Sequence, residues 1–394
     1  GKTSTIGQNG VMRNYSSTQN SVVSYYGEAI ESGKWTYQEN VILPELLASF
    51  SDAQVELYKN MSEAVERGSN SFFGGMTTQL EFDEVEACYR LSNPLSVLVS
   101  EFDYRPEESR AQVTYKLAED DHLKAIDEWH AQIERIVNYC LIQGDVEITA
   151  ARLYQYLTSY FTAAAAGSET PELAETPAPE ASAAPDGEAS GETVDSGEIT
   201  ETVDLYAAFA PSPFYALMKN SVSANDAARA YAYLLMQAGI ECMLVQEALP
   251  AAAEQTSEPE TTVEPEQTPE AAADQEAESA QRHEWIVLWI ASAYYHADPE
   301  LDIADALNPV QDRDTLGHFG MSDESCRAAL QLQGEVEMVV PAVLYARQYL
   351  NGAQRAGGAN VQNYAVPACP TGLEGYGMQQ TVVTKTEEDG GQQE

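Results

Sequence analysis

The sequence predicts an α+β fold, and three stretches predict it. Residues 52–67 place Val55, Tyr58, Met61 and Val65 on one stripe at helical spacing. Residues 111–117, Ala-Gln-Val-Thr-Tyr-Lys-Leu, alternate apolar and polar with period two, as a half-buried strand does. Residues 283–289 alternate again, with His283, Trp285, Val287 and Trp289 on one face.

Taken in order, residues 1–39 are polar and rich in Ser, Gln, Asn and Gly, which predicts a flexible N-terminal arm. The chain opens Gly1-Lys2-Thr3 rather than with Met, so either a trimmed chain or a mature form with its leader removed is expected. Residues 40–118 are expected to form a small α+β region. Its helix starts at Ser51, with Gln54 at the capping-box position, and ends at Gly68. Residues 76–118 are expected to be strands. A second helix, 121–141, carries Leu123, Ile126, His130, Ile133 and Val137, and Gly144 breaks it. Asp145 is placed to cap a third, with Ile148, Leu153, Leu157 and Phe161 among its apolar residues.

Two later stretches change composition. Residues 163–200 and 247–281 are Ala, Glu, Pro, Ser and Thr with almost no aliphatic bulk. Between Thr162 and Asp204 there are 11 acidic residues, and between Glu247 and Gln281 another 10, with no Lys or Arg in either stretch. Such segments bury too little apolar area to offset the entropy of ordering them, so both are expected to be disordered insertions. Residues 351–394 read as a polar C-terminal tail. The formal net charge of -43 argues against nucleic acid and anionic membrane as partners, because phosphates would be repelled. The five cysteines show no metal-ligand spacing and read as small buried hydrophobes. The most apolar run, Trp285 to Tyr295, is far short of the roughly 20 residues that a membrane-spanning helix needs.

The chemistry-bearing residues cluster late in the chain. The run Ala224-Asn225-Asp226-Ala227-Ala228-Arg229-Ala230-Tyr231-Ala232-Tyr233-Leu234-Leu235 leads to Gly239-Ile240. It has an apolar stripe at Ala224, Ala227, Ala228, Tyr231, Leu235 and Ala238. Then come His283-Glu284-Trp285 and Tyr295-His296-Ala297-Asp298-Pro299. Read alone, His283 is a strand histidine with a satisfied hydrogen bond, and Asp298 is a turn carboxylate before proline. Together these runs resemble the core of a transglutaminase-like, papain-type thiol domain, from about 148 to 325. Phe319-Gly320-Met321-Ser322-Asp323-Glu324 resembles a segment near the end of such domains. Residues 45–147 are similar to the helix-and-strand region that precedes them in secreted Gram-positive proteins.

The resemblance implies a nucleophile-position helix packed on an antiparallel sheet, within a domain spanning 119–350. It also implies a triad at positions 224, 283 and 298. A thiol at a helix N-terminus has a lowered pKa, a histidine exchanges its proton, and a carboxylate orients the imidazole. Here Ala224 stands at the nucleophile position. Ala227 replaces the usual aromatic residue, and Ile286 stands where many members carry Asn. The implied protein is therefore catalytically inactive, extracellular or at the cell surface, and tethered through its arm. Its implied role is binding or scaffolding, with a peptide or cell-wall component as ligand and Trp285, Tyr231 and Tyr295 as ligand-binding residues. No cofactor and no metal are assigned. The alternative is a thiol peptidase or transglutaminase whose residue 224 is natively Cys. Two further options rest on residue type alone: a metal set of His283, His296, Asp298 and His318, and an aromatic groove of Trp285, Trp289, Tyr294 and Tyr295.

Overall fold

The computed structural model describes residues 35–163, 204–223, 225–248, 282–305, 316–344 and 364–373, together with the backbone of 2–6 and 12–16. Within the arm, β1 (Lys2–Ile6) pairs antiparallel with β2 (Met12–Ser16). The two acidic insertions lie outside the described residues except at their first positions.

Residues 35–41 belong to the fold. The Trp35 indole N–H donates to the Gln237 carbonyl at 2.9 Å, and Val41 is fully buried. After α1 (Pro44–Leu47) comes α2 (Asp52–Arg67), bounded as the sequence predicts. Ser51 Oγ accepts from Gln54 N, the Gln54 side chain accepts from Ser51 N, and Gly68 closes the helix at φ 64°. The expectation of strands throughout 76–118 is corrected. Residues 79–92 form α3 (Gln79–Ser92), because Thr78 and Glu81 make a second capping box and Phe82, Val85 and Tyr89 recur at helical spacing. The strands within 76–118 are β4 (Val99–Arg105) and β5 (Arg110–Tyr115); with β3 (Ser71–Phe73) they form a sheet in the antiparallel order β3-β5-β4.

The long helix α4 (Glu119–Cys140) buries His122, Ala125, Ile126, Trp129, Ile133, Ile136 and Val137. Leu123 is 38% exposed, so the buried stripe is rotated from the one expected. Then follow α5 (Val146–Tyr160), β6 (Thr162–Ala163), α6 (Pro213–Lys219) and β7 (Ser221–Val222).

Helix α7 (Asp226–Gln237) is the hub. It touches α3, α4, α5 and α6 and lies on strands β8 (Cys242–Glu247) and β9 (Glu284–Ile290). Burial on every side explains its run of Ala with interspersed Tyr and Leu. It ends in a Schellman motif: Ile240 N donates to Leu235 O at 2.8 Å, Gly239 N donates to Met236 O at 3.0 Å, and Gly239 has φ 73°.

Strand β9 turns into β10 (Ala293–Ala297) through Ala291 and Ser292, both at positive φ (49° and 63°), the backbone of a two-residue hairpin. Beyond β10 lie α8 (Pro299–Asp302), β11 (Ala304–Asp305), β12 (Phe319–Met321), α9 (Asp323–Leu330) and β13 (Val336–Met338). The main sheet is antiparallel, in the order β12-β10-β9-β8-β13. β6 lies between β7 and β11 in a small parallel sheet.

Both faces of the main sheet are covered. Leu244, Ile286 and Leu288 face the helices and join a buried cluster running from Val41 to Leu344. Val245, Trp285 and Val287 face the other way, into a second cluster with Cys326 and Cys369. Cys369 belongs to the stretch read as a polar tail. Residues 364–373 instead dock on α9: Asp323 N donates to Cys369 O at 2.8 Å, and Cys369 N donates to Asp323 Oδ2 at 2.9 Å. The fold is thus α+β, with a central helix against an antiparallel sheet. No described helix is long and apolar enough to cross a membrane.

Candidate functional site

The N-terminus of α7 and the ends of β9 and β10 meet at one place, and Asn225 holds them there. Asn225 adopts the left-handed conformation (φ 66°), which its short polar side chain tolerates better than most. Its Nδ2 donates to Arg282 O at 2.8 Å, and its Oδ1 accepts from Glu284 N at 2.9 Å. One side chain therefore grips the backbone on both sides of His283. Arg229, one turn along α7, adds a bidentate pair with the buried Glu284 carboxylate at 2.7 and 2.8 Å.

His283 stands just before β9, a third exposed, and Nε2 lies 2.5 Å from Asp298 Oδ2. Asp298 has no exposed surface and its polar groups are matched on several sides. Its Oδ1 accepts from Glu300 N, its carbonyl accepts from the Tyr154 hydroxyl at 2.8 Å, and its N–H donates to His318 O. The other imidazole nitrogen, Nδ1, lies 3.3 Å from Glu300 Oε2. Burial alone would lower the imidazole pKa, but hydrogen bonds to Asp298 and Glu300 and their charges outweigh it and raise it to about 10. At neutral pH His283 is therefore an imidazolium held between two carboxylates.

Ala224 lies outside the described residues, flanked by Ser223 and Asn225. Ser223 Oγ donates to Asp226 Oδ2 at 2.7 Å, so this hydroxyl is turned to the first turn of its own helix. Beside His283 opens a cleft of about 640 Å³, bordered by Arg282, Glu300, Leu301, Leu330 and Leu332. Its size is that of small-ligand sites. The buried Trp285 forms its floor, its ring stacked toward His283 with centroids 6.0 Å apart.

The other expected ligand-binding residues point elsewhere. Tyr231 is fully buried and donates to Ala150 O at 2.9 Å. Tyr295 packs in the helix-facing core. The four-aromatic groove is also corrected. Period two sends Tyr294 and Tyr295 to opposite faces, and Tyr294 pairs with Trp289 at the hairpin end instead.

The four-residue metal set separates into three pairs. His283 meets Asp298, His318 Nδ1 meets Asp302 Oδ1 at 2.7 Å, and His296 Nε2 meets Asp323 Oδ1 at 2.8 Å. His296, Asp323 and Cys369 do bring ligand atoms within 4.8 Å of one another. Trp285 Nε1 donates to His296 Nδ1 at 3.0 Å, however, which puts the imidazole proton on Nε2. A metal at Nε2 would require an N–H at Nδ1, facing the indole N–H. Burial also pushes the Cys369 thiol up to about 12. The trio is a hydrogen-bonded clasp between sheet, α9 and residues 364–373.

No protein-family model matches the chain, and no curated protein matches it. Sequence patterning missed Glu300, Tyr154 and Asp302. The signal for Glu300 was local: Pro299 at the start of a short helix, behind the capping Asp298, turns the next side chain back toward His283.

Proposed function

We propose that the protein is a transglutaminase-like, papain-type thiol domain that lacks its nucleophile and binds its ligand without turning it over. The observation that carries this reading is the His283–Asp298 pair, clamped by Asn225 against the N-terminus of α7, where residue 224 is alanine. A thiol enzyme needs these three elements at one place, and only the thiol is missing. Packing of α7 on an antiparallel sheet supports the same reading. The cleft beside His283 is the binding surface, a peptide or cell-wall component its ligand, and the cell surface its place of work.

The test is restoration. Ala224→Cys is expected to attack a p-nitrophenyl ester and release one p-nitrophenolate per chain in a burst, with the acyl group retained on the new thiol. The parent chain should show no burst. Turnover by the parent chain, or an inert variant, overturns the reading.

A further inference from the structure

Two N–H donors converge on one oxygen at the cleft. The Asn225 backbone N–H reaches Glu300 Oε2 at 3.5 Å, and His283 Nδ1 reaches the same atom at 3.3 Å. The Asp298 contact is much shorter, at 2.5 Å, and Asp298 is wholly buried. Asp298 is the nearer and better-held partner of the imidazole. Glu300 is a second, surplus carboxylate, a third exposed, on a four-residue helix at the cleft mouth. Its two contacts are long. Leu301, Leu330 and Leu332 stand beside it as an aliphatic wall.

We infer that Glu300 is an internal occupant of a carboxylate seat, and that the cleft takes a ligand ending in a free carboxylate next to an aliphatic side chain. The ligand's carboxylate replaces that of Glu300 against His283 Nδ1 and the Asn225 N–H. Its side chain lies on the leucine wall. Displacement, rather than addition, is required because a third anion beside Asp298 and Glu300 would be repelled. Charge-assisted bonds to the imidazolium favour a carboxylate over an amide in the same place. This inference rests on the cleft being the binding surface proposed above.

The test uses the full chain and follows the His283 imidazole by NMR during titration with N-acetyl-L-leucine, N-acetyl-L-leucinamide and N-acetylglycine. The leucine acid should shift the His283 signals saturably. Its amide, and the glycine acid that lacks the aliphatic group, should each bind at least about tenfold more weakly. Glu300→Ala and Glu300→Gln should each tighten the acid, by about tenfold, since self-occupancy lowers apparent affinity by the fraction of seats left open. Equal binding of acid and amide overturns the carboxylate seat but leaves the cleft as a binding surface. Unchanged or weaker acid binding in both Glu300 variants overturns the displacement. No shift with any probe overturns the inference, while acylation of Ala224→Cys would still uphold the thiol-domain reading.

Discussion

His283 and Asn225 decide the chemistry at the residue scale. The folded-state pKa of His283 is raised to about 10, against an ordinary value of about 6.5. The folded chain therefore keeps a proton that the unfolded chain releases across that interval. The resulting stability is complete below about pH 6.5 and is lost as pH rises through about 10. Thermal melts should show the midpoint falling from pH 7 to 10 in the parent chain and a flatter profile in His283→Gln. Equal slopes would contradict the paired imidazolium. His296 moves the opposite way, because burial lowers its pKa despite Asp323, so it stays neutral beside the Trp285 N–H. Asn225 carries both a left-handed backbone and two hydrogen bonds to the backbone on either side of His283. Asn225→Gly should cost about 1–3 kcal/mol for the lost bonds. Asn225→Ala should cost roughly 1–2 kcal/mol more, because a Cβ disfavours positive φ. Chemical denaturation of the two variants separates the terms, and equal losses would mean that the backbone conformation is not held.

Among the elements, the docked stretch 364–373 depends on one glycine. Gly320 in β12 has φ 75°, and a Cβ there would meet the Leu373 side chain at 2.6 Å. Gly320→Ala should therefore loosen this stretch first. Limited proteolysis should cut within 364–373 in the variant and not in the parent, with the melting midpoint lowered. A cleavage pattern like the parent's would mean that Leu373 is not seated there. This docking was missed in the sequence, because the apolar run Tyr364-Ala365-Val366-Pro367-Ala368-Cys369 is short, broken by proline and set among Gly and Gln, with neither helical nor strand period. Helix α2 was legible to its caps, since Ser51, Gln54 and Gly68 act locally. Helix α3 was missed although Thr78 and Glu81 spell the same capping box. The hairpin turn at Ala291-Ser292 lacks the Gly or Asn that usually marks positive φ. His283 and Asp298 were nameable through their spacing to α7. Glu300 was missed, although the Asp298-Pro299 helix start that turns it toward His283 is a local signal.

Across the whole molecule, one buried cluster joins the N-terminal helices to the sheet. Segment 35–41 ties across it. Tyr37 donates to Glu66 Oε1 at 2.8 Å, accepts from the Trp129 indole at 3.0 Å and lies 3.0 Å from the Tyr233 hydroxyl. Tyr37→Phe removes a hydroxyl from that network, and denaturation should show a loss of about 1–3 kcal/mol in a single transition. No loss would mean that the segment is not docked. The proposed function makes His283 and Asp298, beside the N-terminus of α7, the remainder of a thiol-transfer site. Its most direct measurement is the rate of alkylation of Ala224→Cys by a small neutral reagent as a function of pH. The five native cysteines are buried, and burial raises their pKa values, those of Cys140, Cys326 and Cys369 to about 12, so the background is low. The expected thiolate titrates well below the free value of about 8.5, with the shift abolished by adding His283→Ala. A thiol in Ala224→Cys that titrates at the free value, with or without His283, would contradict the proposed function.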